Sequence, residues 1–257
     1  MAISIRSDNE IELMRDAGRI VGQVHDEIKK ILKPGITTQF LSDLSDKIIQ
    51  DNGAIALFRG VPNPPYPDFP SSICVSINEQ VVHGIPSKRQ LKDGDIISVD
   101  CGTKLKGYCG DAARTFLVGN VSDETKRLVE VTEQTLLIAV SAIKPGVYWS
   151  EIAKAMQAHA EKAGFAVVRE YVGHGIGRKM HEDPKIPNYV DRHVLRNDFM
   201  LRKGMVLAIE PMVNLGSEKV RTLKDGWTVV TLDGKPSAHW EHTIAVTEKG
   251  SEILTLQ

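Results

Sequence analysis

A Pro-Gly pair that stops one helical pattern returns 111 residues later to stop another, and this internal echo limits what the chain can fold into. Ser7-Asp8-Asn9-Glu10 has capping-box spacing. Apolar residues follow at helical period: Leu13, Ala17, Ile20, Val21, Val24, Ile28 and Ile31. Leu32-Lys33-Pro34-Gly35-Ile36 ends the pattern, because proline cannot continue a helix and glycine turns the chain. A second helical pattern runs from about Thr38 to Asp51 and stops at Gly53. The order then repeats. Asp123 and Glu124 open a helix through Leu128, Val131, Leu136 and Val140, which Ile143-Lys144-Pro145-Gly146-Val147 stops. Another runs from about Ser150 to Ala163 and ends at Gly164. The offsets agree (145 − 34 = 111 and 164 − 53 = 111). Two apolar, strand-like runs, Gly94–Asp100 and Gly204–Glu210, also correspond (204 − 94 = 110), and an acidic residue closes each.

A duplicated helix–helix–strand unit predicts an α+β fold. The halves, about 7–120 and 122–250, would share a curved antiparallel central sheet with the helices outside, as one domain over 1–257. The carboxylates that close the two strands would then face each other at the centre. The proline-rich stretch Val61–Pro70 reads as a rigid loop and not as a boundary. A chain of 257 residues buries a substantial core, and 42% hydrophobic with 25% charged residues is ordinary globular composition. A net charge of −1 supplies no global field toward DNA or an anionic membrane. No apolar run approaches the roughly 20 residues of a spanning helix. Asp8, Glu10 and Glu12 precede any apolar run, unlike a signal peptide. Three cysteines, Cys74, Cys101 and Cys109, cannot all pair within the chain and read as free thiols of a cytoplasmic protein.

Common catalytic motifs fail on particular residues. Gly173-His174-Gly175-Ile176-Gly177 has Arg178 where a dinucleotide fingerprint needs glycine. His181-Glu182 lacks the second zincin histidine, because Lys185 stands there. No phosphate loop and no Gly-x-Ser-x-Gly elbow occurs. What remains is oxygen-rich. Asp100 and Asp111 are separated by Gly102, Gly107 and Gly110, a spacing that suits adjacent strands of one hairpin. Either Asp alone reads as a turn cap, whereas the pair on a hairpin points to metal. His174 lies between two glycines that let the backbone come close and aim its ring, though a lone histidine is commonly structural. Glu210 and Glu241 end or begin apolar segments, where an unpartnered acid is costly to bury. Four converging carboxylates repel one another, and two divalent ions cancel their charge. Such a pair shares bridging carboxylates and acidifies a water between them. One imidazole with four carboxylates suits Mn, Fe, Co or Zn, and spacing does not choose among these.

These residues together resemble type I methionine aminopeptidases of the bacterial kind without an N-terminal extension. The resemblance rests on Ser76-Ile77-Asn78-Glu79 with His83-Gly84-Ile85-Pro86, on Asp95–Asp100 and Gly110-Asp111, on Gly173–Gly177, on Ile209-Glu210-Pro211 and on Glu241-His242-Thr243. It spans nearly the whole chain and implies the pita-bread fold, whose pseudo-twofold agrees with the duplication. It implies two divalent ions: Asp100 on one, Asp111 and Glu241 bridging both, His174 and Glu210 completing the second site. It implies that His83 contacts the substrate near the scissile amide, that His181 binds the carbonyl oxygen and that Glu210 relays the proton. Cys74, Phe69 and Trp227 would line a methionine pocket, with Tyr66 and Phe58 as further lining groups. Met180 departs from the family, which often has Phe there, and the 61–70 loop looks longer and richer in proline than usual. The implied function is removal of the initiator methionine from nascent chains when the next residue is small and uncharged, by a cytoplasmic monomer. The alternatives are a proline-directed metallopeptidase of the same fold, which usually has a further N-terminal domain, or a noncatalytic protein- or RNA-binding relative, which would have lost ligands. A nascent-chain substrate implies a ribosome encounter, for which Lys219, Arg221 and Lys224 offer a small basic cluster.

Overall fold

Ser7 caps the first helix as its spacing predicts. Its hydroxyl accepts from the Glu10 amide at 3.3 Å, while its own amide donates to the Glu10 carboxylate at 2.9 Å. Thr37 and Ser122 cap two further helices in the same manner, accepting from Phe40 and Thr125 amides. The computed structural model describes residues 3–256. In chain order its elements are α1 (Asp8–Ile31), α2 (Thr38–Asp51), β1 (Ile55–Ala56), β2 (Ile73–Ile77), β3 (Gln80–Val82), β4 (Ile96–Leu105), β5 (Tyr108–Leu117), α3 (Asp123–Ala142), α4 (Trp149–Lys162), β6 (Ala166–Val167), β7 (Gly173–Gly175), β8 (Glu182–Ile186), α5 (Arg192–Arg196), β9 (Val206–Ile209), β10 (Met212–Asn214), β11 (Val220–Thr222), β12 (Val229–Thr231), β13 (Ser237–His239), β14 (His242–Val246) and β15 (Ser251–Ile253).

The four long helices stand where periodicity predicts them, and each stops at its Pro-Gly or glycine signal. α1 buries Ile20, Val21, Val24 and Ile28 in a core completed by α2, β2 and β4, and its Met14 packs with Tyr108, Val206 and Ala245. α4 buries Trp149, Ile152, Ala153 and Met156 against α3 residues Leu136 and Ala139 and against β9 and β14. No helix among the described residues is long and apolar enough to cross a membrane.

All strand pairings among the described residues are antiparallel. They sort into four sheets: β1-β4-β2 with β5 on β4, β13-β10-β6, β11-β12-β3, and β15-β14-β9-β7-β8. The first and last meet through β5 and the start of β14. There the Asp111 amide donates to the Thr243 hydroxyl at 2.9 Å, and that hydroxyl donates back to the Asp111 carbonyl at 2.8 Å. Two residues on, the Glu241 amide donates to the Ala113 carbonyl at 2.8 Å and the Ala113 amide to the Glu241 carbonyl at 3.3 Å. This seam joins β5 of one part to the start of β14 of the other, and it carries Asp111 and Glu241 side by side.

β4 and β5 form the expected hairpin. Its two turn residues, Lys106 and Gly107, have φ of 49° and 85°, the left-handed pair that a tight two-residue hairpin requires. β4 runs five residues past Asp100, so Asp100 lies inside the strand instead of closing it. The reason is pairing on both sides: β2 and β5 flank β4, and backbone bonding continues to Leu105 opposite Tyr108.

Candidate metal centre

The hairpin register places Asp100 opposite Ala113 and Asp111 opposite Gly102. Side chains alternate across a strand, so both carboxylates project from one face, diagonal to each other. On the other side of the seam, β9 sits between β14 and β7, with Ala208 opposite both Thr243 and His174. Glu210 follows β9 directly, and its carbonyl accepts from the Asn188 side chain at 3.0 Å. The glycines around His174 are required by packing. A Cβ on Gly173 would overlap the Ala208 carbonyl, and one on Gly175 would overlap the Asp183 carbonyl. β7 thus fits between β8 and β9 only with glycine on either side of its histidine.

These elements bring Asp100, Asp111, His174, Glu210 and Glu241 to one cavity of about 240 Å³. Asp111, His174 and Glu241 offer donor atoms within 4.8 Å of one another. Glu210 Oε1 lies 3.6 Å from His174 Nε2. His174 Nδ1 is paired with the Gly175 carbonyl at 2.9 Å, which leaves Nε2 as the free donor atom facing the carboxylates.

The electrostatics call for a cation. Asp100 Oδ1, Asp111 Oδ1 and Glu241 Oε1 are buried with no hydrogen-bond partner among the described residues. Burial pushes the Asp100 carboxyl up to about 7. Burial, then the neighbouring carboxylates, push Asp111, Glu210 and Glu241 well above the usual carboxylate range. The histidines move the other way: burial, then the nearby His181, push His174 down to about 4. Neutral imidazole and oxygen-rich anion are the forms a hard or borderline divalent ion binds, so the donor set fits one.

The same cavity has an apolar lobe. Phe58, Val61, Phe69, Cys74, Met180 and Trp227 line it. Phe69 meets Trp227 edge to face at 5.2 Å between ring centres. The proline-rich loop builds this wall: its Pro67 carbonyl accepts from the Trp227 indole at 2.8 Å, and Asn63 donates to the Gly226 carbonyl at 2.8 Å. Tyr66 does not line the cavity. It is exposed and its ring lies over Gly226, because the loop turns it to the outside. Cys74, on β2 opposite Asp100, sits where lobe and carboxylates meet.

His83 and His181 border the carboxylates. His83 has a φ of 59°, a left-handed conformation uncommon for a side chain of its size, and its ring meets Tyr171 edge-on at 5.5 Å. Burial, then His181, push it down to about 4. His181 stands at the rim, 4.3 Å from His174 between ring centres, and is lowered by partial burial. Sequence reasoning missed Val61, Tyr171 and Val172 on the wall, and His239 behind Glu210. Burial, then His83, push His239 down to about 3. Tyr171 and Val172 directly precede the Gly-His-Gly segment, which was the available signal; His239 had only its place two residues before Glu241.

Comparison with known proteins agrees with this geometry. Residues 12–248 match the model of metallopeptidase family M24. Methionine aminopeptidase 1 of Bacillus subtilis (strain 168) is 53% identical over 253 residues, covering 98% of this chain and 99% of the relative. The crystal structure of a methionine aminopeptidase from Thermotoga maritima superposes with a TM-score of 0.93 at 44% identity, covering all of both chains. An Xaa-Pro dipeptidase from Bacillus anthracis, at 24% identity and a TM-score of 0.74, shares the fold; this chain spans 62% of its length. The match runs through both parts of the chain and across every strand that carries a candidate ligand, so the chain belongs to metallopeptidase family M24 and has its pita-bread fold.

Proposed function

We propose that the chain is a methionyl aminopeptidase, which removes the initiator methionine from nascent polypeptides when the second residue is small and uncharged. One observation carries this reading: an apolar lobe walled by Cys74, Phe69, Trp227 and Met180 opens onto the buried carboxylate–histidine cluster. A flexible thioether side chain fits such a mixed aromatic and sulfur-lined wall. Two divalent ions, from Mn, Fe, Co or Zn, would be held by Asp100 on one side, by Asp111 and Glu241 between them, and by His174 with Glu210 on the other. When bound they supply an acidified water and a docking point for a free α-amine, which only a chain end offers. Glu210 takes up the proton released on attack. His181, at the rim, donates to the carbonyl oxygen as charge builds there. His83, held by Tyr171, contacts the substrate beside the scissile amide.

One catalytic domain over 1–257, with its internal repeat at about 7–120 and 122–250, accounts for the matching helix pairs of α1–α2 and α3–α4. We place it in the cytoplasm as a monomer. Its full ligand set speaks against a noncatalytic relative. The test is hydrolysis of Met-Ala-Ser, Leu-Ala-Ser and Met-Pro-Gly by chelator-stripped protein with each metal restored. Metal-dependent release of Met from Met-Ala-Ser, with Leu-Ala-Ser nearly untouched, is expected. Cleavage without methionine preference would discard the pocket, and folded protein inert with every metal would discard the reading. Lys219, Arg221 and Lys224 are exposed on and beside β11 and make no ion pair among the described residues. They are proposed to meet ribosomal RNA weakly, and their joint replacement by Ala should lower cosedimentation with ribosomes at low salt. Unchanged cosedimentation would remove that contact.

A further inference from the structure

His239 ends β13 two residues before Glu241, and its side chain is 2% exposed. Its Nε2 is wholly buried and has no hydrogen-bond partner among the described residues. Glu210 Oε2 lies 3.8 Å from that atom. The other oxygen of the same carboxylate, Oε1, faces His174 Nε2 at 3.6 Å. Glu210 therefore lies between two imidazoles, one a candidate ligand and the other set behind it.

We propose that His239 is a positioning residue for Glu210, donating from Nε2 to Oε2 so that Oε1 is the oxygen presented to His174 and the cation. The inference deepens the aminopeptidase reading and rests on it. Rigid elements hold both partners. The His239 amide donates to the Thr115 hydroxyl at 2.9 Å, and that hydroxyl donates to the His239 carbonyl at 2.8 Å. Ser98 donates to the same Thr115 hydroxyl at 2.8 Å. Met212, opposite His239 in register, follows Glu210 by two residues, and Asn188 holds the Glu210 carbonyl. The backbones of both residues are thus held, which leaves the approach of the two side chains to their torsions. The gap of 3.8 Å exceeds hydrogen-bond reach by a fraction of an ångström. Contacts of this kind commonly tighten when a site takes up its ligands. A buried imidazole aimed at a carboxylate with no other partner has no packing reason to be polar, since an apolar ring fills the same space. Ligating carboxylates are ordinarily held through their second oxygen in this way.

Three variants separate a donor from mere bulk. The amide nitrogen of His239→Gln reaches the place of Nε2, that of His239→Asn reaches only the place of Nδ1, and His239→Leu has no donor. Each full-length protein is stripped of metal and titrated with Mn by calorimetry, and kcat and KM are then measured on Met-Ala-Ser with Mn in excess. Leu and Asn are expected to lose about 10–100-fold in Mn affinity or kcat with KM nearly unchanged, and Gln to stay within a few-fold of wild type. Wild-type affinity and kcat in the Leu variant, equal damage in Gln and Asn, or a loss confined to KM would overturn the proposal. If the Leu variant does not fold, the comparison of Gln with Asn still decides it. Should the wild type bind Mn without releasing methionine, the aminopeptidase reading fails, and the calorimetric order of Gln against Asn continues to decide the role of His239.

Discussion

Asp111→Asn is expected to remove tight metal binding and to cut methionine release by more than about 100-fold, beyond the loss typical of groups that only support a ligand. Asp111 offers a donor atom within 4.8 Å of those of both His174 and Glu241. Asparagine keeps the shape, and the backbone bonds to Thr243 do not involve the side chain. The fold should therefore survive, and the metal-free variant should melt higher than the metal-free wild type, because one of four crowded acids is gone. The pH dependence has a definite sign. In the metal-free wild type, buried carboxyls hold protons that the unfolded chain has already released, so their contribution to stability falls as pH rises from about 4 through about 7, the latter read from Asp100. Histidines with lowered values work in the opposite direction between about 4 and 6.5, as for His174 and His83. Divalent metal displaces the carboxyl protons and finds His174 already neutral above about 4. The rise in melting temperature on adding Mn should thus be larger at pH 7.5 than at pH 5. In Asp111→Asn it should be small at both. A pH-independent rise in the wild type would contradict the coupling between these carboxyls and the metal.

Glu210→Gln carries the second large effect, a fall in kcat of about 10²–10⁴-fold, the usual worth of a positioned acid–base group. Glutamine retains one oxygen to face His174 and cannot take up a proton. Metal affinity should therefore fall less than in Asp111→Asn, while turnover with metal in excess stays low. KM for Met-Ala-Ser should change little, because the apolar wall of Phe58, Phe69 and Trp227 is left intact. Steady-state kinetics at saturating Mn checks this. A variant whose activity returns fully with added metal would leave Glu210 as a ligand without a role in proton transfer.

Much of the scaffold was readable before any coordinates. Ser7 with Glu10, the Pro-Gly pairs and the apolar periodicity mark α1 to α4 because these signals act within a few residues of themselves. The hairpin that pairs Asp100 with Asp111 was equally legible, since glycine at 107 permits the turn. The extent of β4 was not, because a strand continues for as long as neighbours bond to it, and β2 and β5 are chosen by the tertiary fold. Tyr66 and Phe69 show the same limit. Both are aromatic residues of one proline-rich loop, and only the path of that loop over Gly226 and Trp227 turns Phe69 inward and Tyr66 outward.

What the amino-acid order alone determined is the inventory and its rhythm: two helix pairs, two strands with acids at matching places, and a candidate donor set of four carboxylates and an imidazole. Those follow from local propensity, capping and charge. What only the tertiary structure decided is which atoms face one another: the seam that sets Asp111 beside Glu241, the wall that Tyr171 adds to His83, and the placement of His239 behind Glu210. Residues 111 and 243 meet across 132 positions of chain, and residues 210 and 239 meet between segments that belong to different sheets. Such meetings are fixed by the packing of whole sheets, and no short-range pattern records them.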